Sequence, residues 1–174
     1  INSALQPTIK GNEVLDKKIQ ILSSVVPTGT KLTPEFVNTE YNSKVEEFLV
    51  DSAGNVVADA TTKAFDVDYR KEIRKPQSER HYPVFKYTDG AETYYILPLE
   101  GQGLWDRIWG YLAIKSDFNT IHGSTFGHKG ETPGLGALIT ESWFTEPFQN
   151  KKLYNEAGDY EFGILKGRGN ELAK

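Results

Sequence analysis

The nine residues from His128 to Gly136, HKGETPGLG, combine residue types that suit contact with a polar ligand. Pro133 followed by Gly134 fits the centre of a type II turn, where glycine takes a positive φ. The glycines leave backbone N–H groups unobstructed. If Leu138 begins a helix, those groups lie at its N-terminus and favour an anion such as phosphate. Glu131 suits a phosphate poorly unless it faces another part of the ligand or caps the turn. The residues alone leave a tight turn and a ligand cradle equally open.

A second segment, from Glu100 to Gly110 (EGQGLWDRIWG), places glycines beside two tryptophans. A planar ligand could stack on Trp105 or Trp109, although packing in the core or at its rim is the favoured interpretation of such residues alone. The first two glycines start a dinucleotide-type fingerprint, but Asp106 occupies the place of the third glycine. That fingerprint is therefore excluded.

Composition excludes several other chemistries. The chain has no cysteine, so disulfides, zinc–thiolate sites, thiolate-bound iron–sulfur clusters and cysteine nucleophiles are ruled out. No zinc-protease, nucleophile-elbow or Walker motif occurs. The three histidines, His81, His122 and His128, could gather around a metal, but half-exposed polar positions are the favoured interpretation, and no metal site is predicted.

Overall charge and hydropathy describe a globular protein. The 174 residues are 38% hydrophobic and 25% charged, which suits one domain with a sizeable core. The net charge is −4 and there is no long basic run, so a nucleic acid partner is not expected. No stretch is long and apolar enough to predict a membrane span.

Two N-terminal helices are predicted from spacing and capping signals. Apolar residues recur at helical intervals from Asn12 to the break at Pro27: Leu15, Ile19, Leu22 and Val26. Thr33 then provides a capping hydroxyl before Pro34, which predicts a second helix to about Asn42.

The middle of the chain is typical of antiparallel strands. Three hairpins are predicted around turn signals: 45–50 with 56–58, 82–87 with 93–99 around Asp89-Gly90, and 109–114 with 120–126 around 117–119. The charged stretch 68–81 is interpreted as a solvated linker or loop, with a basic partner-binding surface as the alternative.

Beyond the glycine-rich loop, Leu138, Ile139, Trp143 and Phe144 predict an amphipathic helix, and residues 160–165 a last strand. Helices at the ends and hairpins in the middle predict an α+β fold. We expect one domain over residues 1–174, with an antiparallel β-meander sheet flanked by helices.

Four stretches of the sequence resemble the bacterial FMN-binding domain family. The loop segment Glu131–Gly136 (ETPGLG) is similar to a family signature, and YILPLEGQGLW at residues 95–105, followed by Ile108-Trp109-Gly110, resembles the segment before it. Residues 143–153 and 5–22 also agree. The family includes the C-type subunit of Na+-translocating NADH:quinone reductases and the related G-type subunit of the complex that couples ferredoxin and NAD.

The resemblance implies that FMN is the cofactor and acts as a one-electron relay. By motif position, the expected cofactor-binding residues are Gly103, Leu104, Trp105, Glu131, Thr132, Gly134 and Leu135. No catalytic acid–base residue is expected, because a relay requires only an accessible ring edge.

The resemblance also implies a setting for the domain. It would lie on the periplasmic side of the inner membrane, held by an N-terminal anchor upstream of Ile1, beside the other membrane subunits of the reductase. A flavin transferase would join the FMN phosphate to a threonine of an S-G-[AG]-T-x-T motif. This motif is not found in the 174 residues, so that threonine is expected outside them. A non-redox periplasmic binding or assembly module is the alternative.

Overall fold

The computed structural model describes residues 2–161, with side chains from residue 11 onward. The helices in this range are α1 (Asn2–Ser23), α2 (Pro34–Lys44), α3 (Tyr69–Glu72) and α4 (Ser142–Thr145). The strands are β1 (Val45–Val50), β2 (Tyr82–Asp89), β3 (Glu92–Gln102), β4 (Arg107–Lys115) and β5 (Ile121–His128). Short 3₁₀ helices occupy Ala64–Asp66, Gln77–Glu79, Gly136–Thr140 and Glu146–Phe148.

The five strands form one antiparallel sheet in the order β1-β2-β3-β4-β5, so every neighbour in space is a neighbour in sequence. The longest ladder joins β3 to β4, from the Tyr94–Lys115 pair to the Gln102–Arg107 pair. The predicted meander and α+β class are therefore confirmed. The hairpins around Asp89-Gly90 and around residues 117–119 are also present.

Both faces of the sheet are covered, because successive side chains of β4 point into two different cores. Tyr111 and Ala113 face one core, in which α1 and α2 pack on the sheet through Ile21, Leu22, Val25, Val37 and Tyr41. Leu112 and Ile114 face the other core, which the C-terminal segment closes with Phe144, Phe148 and Leu153. β4 is therefore buried on both sides and rigid. It begins within the segment from Glu100 to Gly110, one of the two segments singled out in the sequence.

The two N-terminal helices differ from prediction only in their bounds. α1 begins at Asn2 instead of Asn12 and ends at Ser23, four residues before Pro27. The Thr33 cap is confirmed, because its hydroxyl oxygen accepts the Phe36 N–H at 3.3 Å. None of the helices in the described part of the chain combines the length and apolarity needed to cross a bilayer.

The first predicted hairpin is only partly formed. The Asp51 carboxylate accepts the backbone N–H groups of Ala53 and Asn55, which closes the turn. Val56 then makes a single bridge to Val50, so no second strand follows. β1 instead pairs along its whole length with β2, which offers a more complete ladder.

The charged stretch 68–81 is largely exposed to solvent, as predicted for a solvated loop, but it is locally ordered. It contains α3 and the 3₁₀ helix Gln77–Glu79. Local ion pairs join Arg70 to Asp68 at 3.0 Å and Lys75 to Glu72 at 2.6 Å. Its helix α3 packs on β2 and β3, while most of its charged side chains are exposed to solvent and several of them are paired within the segment.

The predicted amphipathic helix at Leu138–Phe144 is wrong. Three short turns replace it, because Glu141 takes an extended conformation between Gly136–Thr140 and α4. Pro147 lies in the first turn of the last 3₁₀ helix and lacks the N–H that a longer helix would need. The predicted strand at 160–165 lies mostly outside the described residues, which show an isolated bridge between Tyr154 and Tyr160.

The β4–β5 turn provides a pH-dependent contribution to stability. The Thr120 hydroxyl, with the backbone N–H groups of Thr120 and Asn119, lowers the pKa of Asp117 to about 2. The unfolded pKa is about 3.9. Because the folded value is the lower, the stabilisation is complete above pH ~4 and is lost as the pH falls through about 2.

We therefore expect Asp117→Ala to lower the unfolding midpoint in urea at pH 7 and to have little effect near pH 2. The effect is modest, because the carboxylate is exposed to solvent. The exposed Asp59, replaced in the same way at pH 7, is the control for the loss of one surface carboxylate, and we expect a near-wild-type midpoint for it. A constant difference between Asp117→Ala and the wild-type protein across this range would contradict the assignment.

Candidate functional site

Two loops meet at one end of the sheet. The hairpin loop, residues 103–106, joins β3 to β4 and is closed by the Gly103 N–H donating to the Asp106 carbonyl at 2.8 Å. The glycine loop, residues 129–135, leaves β5, and its Lys129 N–H donates to the Arg107 carbonyl at 3.0 Å. The two loops, distant in sequence, are thus neighbours because the β4–β5 ladder extends to the Ile108–His128 pair at this end of the sheet.

Glu131 links the two loops through its side chain. One carboxylate oxygen accepts the backbone N–H groups of Trp105 at 3.1 Å and Asp106 at 3.2 Å. Only 7% of Glu131 is exposed, which is unusual for a glutamate in a surface loop. Its own backbone N–H donates to Nδ1 of His128 at 3.3 Å. The residue that was expected to face the cofactor therefore also holds the site together.

Two glycines make room for this carboxylate. A Cβ on Gly103 would lie 2.2 Å from Oε1 of Glu131, and a Cβ on Gly136 would lie 2.4 Å from Oε2. Both separations are far below van der Waals contact, so any larger residue must displace the carboxylate. Gly136 was not singled out as a site residue from the sequence, and only its place in the glycine-rich run could have drawn attention to it.

The turn considered from the sequence is present, but no α-helix begins at Leu138. The Leu135 N–H donates to the Thr132 carbonyl at 3.1 Å and Gly134 has φ +77°, as a type II turn requires. The following helix is a 3₁₀ helix of five residues, and the Ala137 N–H also donates to Thr132. These N–H groups are engaged by the turn itself.

Three large apolar side chains project from the linked loops. Leu104 is 81% exposed, Trp105 68% and Leu135 70%. We call this group the apolar platform. Exposing so much apolar surface at one place is unfavourable, and such groups mark sites that another molecule covers. Exposed apolar side chains of this kind, and the Trp105 ring above all, can contact a planar, largely apolar ligand.

The two tryptophans of the hairpin serve different purposes. Trp109 packs inward: its ring lies 4.5 Å from the Arg107 guanidinium carbon and against Gly127. Its Nε1–H donates to Gln20 of α1 at 2.7 Å. Stacking of a planar ligand on Trp109 is therefore excluded on the face that Arg107 covers, and Trp105 is the tryptophan left for a ligand.

Charged groups at the rim of the site are mutually balanced. The backbone N–H of Arg107, and next the nearby Lys129, hold the pKa of Asp106 below its usual range. Lys129 lies 3.5 Å from the Asp106 carboxylate. Asp106, which the sequence marked only as an interruption of a glycine pattern, thus belongs to the hairpin loop that carries the platform.

The three histidines do not assemble. The backbone N–H of His81 donates to Glu72, His122 Nε2 lies 3.0 Å from the Val25 carbonyl, and His128 accepts from Glu131. Within residues 2–161 no group of three or more histidine, aspartate or glutamate residues is arranged to hold a metal.

Comparison with known proteins agrees with this geometry. The FMN-binding domain family matches residues 103–166, a span that starts at the hairpin loop and includes the glycine loop. The protein is 31% identical to the C-type subunit of the Na(+)-translocating NADH-quinone reductase of Pseudomonas aeruginosa, over 94% of this chain and 69% of that one. Identity to the same subunit of the Haemophilus ducreyi reductase is 32%, over 94% and 68%.

Solved structures share the fold. The crystal structure of the C-type subunit from Parabacteroides distasonis superposes with a TM-score of 0.77 at 37% identity, covering 90% of this chain and 74% of that one. Shewanella oneidensis NqrC gives 0.72 at 26% identity, covering 92% and 80%. The fold and the paired loops define an FMN-binding domain. Within that class, the chain belongs to the NqrC family, the C-type subunits of Na(+)-translocating NADH-quinone reductases.

Proposed function

We propose that this protein is the electron-carrying NqrC subunit of a Na+-translocating NADH:quinone reductase and that FMN is its carrier group. The apolar platform is the observation that carries the proposal. Leu104, Trp105 and Leu135 are exposed together on loops that Glu131 holds in place. A bound flavin would supply reversible uptake and release of electrons.

The residues at the site fit such a ligand. Leu104, Trp105 and Leu135 would contact the flavin ring, since stacking and apolar contact suit its flat surface. Thr132 and Gly134 are exposed at the turn, where nothing lies within 4 Å of a Cβ built on Gly134. Gly103 and Glu131 hold the hairpin loop that carries Leu104 and Trp105 in position. The protein's part is to hold and orient the ring and leave one edge accessible to partners.

Two finer features also belong to the proposal. The first is location on the periplasmic side of the membrane, beside the other subunits of the reductase. The second is attachment of the FMN phosphate to a threonine by a flavin transferase. Both follow from the resemblance of the loop and hairpin segments, and the segment 167–174, beyond the last predicted strand, lies outside the described residues.

The test is flavin retention by the full-length natural protein, coexpressed with a flavin transferase. We expect in-gel flavin fluorescence that survives denaturation and disappears when the threonine that carries the phosphoester is replaced. Full-length protein without fluorescence, in the presence of active transferase, would overturn the proposal and favour a non-redox module.

A second arm tests the platform itself. Trp105→Ala should shift the visible absorption bands of the bound flavin and lower its fluorescence anisotropy in the native protein, because the ring loses its stacking surface. Phe118→Ala is the matched control, since Phe118 is also an exposed aromatic residue, 59% accessible, but lies in the β4–β5 turn. Equal spectra for both variants and the wild-type protein would remove Trp105 from the site.

A further inference from the structure

Arg107 has a buried nitrogen without a hydrogen-bond partner among the described residues. It is the first residue of β4, and its guanidinium carbon lies 4.5 Å from the Trp109 ring. Its Nε is buried and has no hydrogen-bond acceptor. The carboxylate of Glu100 lies 3.7 Å from that nitrogen, which is beyond hydrogen-bonding distance. A buried donor without an acceptor is costly, so this one indicates a ligand that would complete it.

The acidic neighbour is itself an imperfect partner. Glu100 is largely buried, with its side chain 12% exposed, and burial is the main cause that raises its pKa. No described side chain donates a hydrogen bond to its carboxylate within 3.5 Å. The Arg107–Glu100 pair therefore leaves the donors of the guanidinium available to a stronger acceptor.

Other cations line the same groove, which has a volume of about 470 Å³. Arg74 is exposed and has no ion-pair partner in the described side chains, residues 11–161. Lys129 is only loosely paired, 3.5 Å from Asp106. Arg70 is already held by two hydrogen bonds to Asp68, at 3.0 and 3.1 Å. The groove is thus lined by four cations and by the two carboxylates of Glu100 and Asp106. Its unused hydrogen-bonding capacity lies on Arg107, whose Nε has no acceptor, and its cation without an ion pair is Arg74.

The groove adjoins the apolar platform. Gly101, Gln102 and Asp106 line it, and these residues belong to the arms of the hairpin whose tip carries Leu104 and Trp105. A single ligand with an anionic end and a flat apolar end could occupy both places.

We propose that the groove around Arg107 binds a phosphate ester, and that the ester is the phosphate of the flavin. This inference rests on the proposed function, because the flavin ring is assigned to the platform. A guanidinium presents parallel N–H donors that match two oxygens of a phosphate, and Arg74 and Lys129 add charge around it. A phosphate that is also esterified to a threonine keeps two free oxygens for this contact.

The test compares three ligands on the full apo chain: FMN, riboflavin and inorganic phosphate. Affinity for the two flavins is measured by fluorescence quenching, and the Arg107 Nε–Hε resonance is followed by NMR. We expect FMN to bind about tenfold more tightly than riboflavin, equivalent to about 1.4 kcal/mol. We also expect inorganic phosphate to shift the Arg107 resonance and to compete with FMN but not with riboflavin.

Substitutions at Arg107, compared with one at a control lysine, distinguish binding in the groove from a general effect of positive charge. Arg107→Gln should reduce FMN affinity to that of riboflavin while riboflavin affinity stays the same. Arg107→Lys should retain part of the preference, because it keeps the charge without the paired donors. Lys71→Gln is the matched control: Lys71 lies on α3 beside Arg70, is 80% exposed and does not line the groove.

The outcomes distinguish the two proposals. Equal affinity for FMN and riboflavin, with no Arg107 shift by phosphate, would overturn the phosphate site and leave the platform standing. A shift by inorganic phosphate without preference for FMN would overturn the flavin as its source. No binding of riboflavin at any concentration would count against the platform and so against the proposed function. Loss of FMN preference in Lys71→Gln as large as in Arg107→Gln would also overturn the site.

Discussion

Replacing Glu131 with alanine is expected to lower the free energy of unfolding by about 1–3 kcal/mol and to loosen FMN from the protein. The Trp105 and Asp106 N–H groups would lose their shared acceptor, and the space between Gly103 and Gly136 would be emptied. Since the hairpin loop carries Leu104 and Trp105, its release would disorder the platform as well as destabilise the fold.

Urea unfolding and flavin affinity, measured on the same variants, check this expectation. Glu131→Gln should be milder, because an amide oxygen can still accept both N–H groups. Glu141→Ala is the control: Glu141 is an exposed glutamate ten residues further along the chain, and its side chain makes no capping hydrogen bond. Wild-type stability and wild-type flavin affinity in Glu131→Ala would show that the carboxylate does not link the loops.

Replacing Gly103 with alanine is expected to lower the free energy of unfolding and the flavin affinity to a similar extent. The reason is the opposite one, because this substitution adds an atom where none fits. The new Cβ would lie 2.2 Å from Glu131 Oε1 and 2.8 Å from the Asp106 carbonyl oxygen. Overpacking of this kind costs about 1–3 kcal/mol. The carbonyl oxygen belongs to the backbone that closes the hairpin loop, so relief requires the loop itself to move.

The control for this variant is Gly101→Ala, in the same arm of the hairpin. Its Cβ would lie 3.4 Å from Cγ1 of Ile108, a tolerable contact with a side chain. We expect a near-wild-type urea midpoint for Gly101→Ala and a reduced midpoint for Gly103→Ala. Equal behaviour of the two variants would contradict the close contact.

The two substitutions should also be coupled. Without the Glu131 carboxylate, the shorter of the two clashes made by Ala at position 103 disappears. The double variant Gly103→Ala/Glu131→Ala should therefore be more stable than the sum of the single effects predicts, by about 0.5 kcal/mol or more. Strict additivity in a double-mutant cycle would place the two residues out of contact.

Much of the fold was predictable because its signals are local. Thr33 and Pro34 mark the start of α2 within a few residues, and Asp89-Gly90 marks the β2–β3 turn. A meander needs no information beyond such turns, since each strand pairs with the next along the chain. The positive φ of Gly134 was likewise predictable from its place after a proline.

The amino-acid sequence by itself determined the order of the elements, the turn at Pro133-Gly134 and the family to which the loops belong. Tertiary structure decided what the polar and aromatic residues do. Trp105 and Trp109 are alike in sequence, yet Trp105 lies at the surface in the hairpin loop, whereas Trp109 lies in β4 and its ring reaches Gln20 of α1. Glu131 became a buried link only because the β4–β5 ladder brings residues 25 and 26 positions apart into contact. Such contacts depend on pairing between distant strands, and no local pattern of residues encodes them.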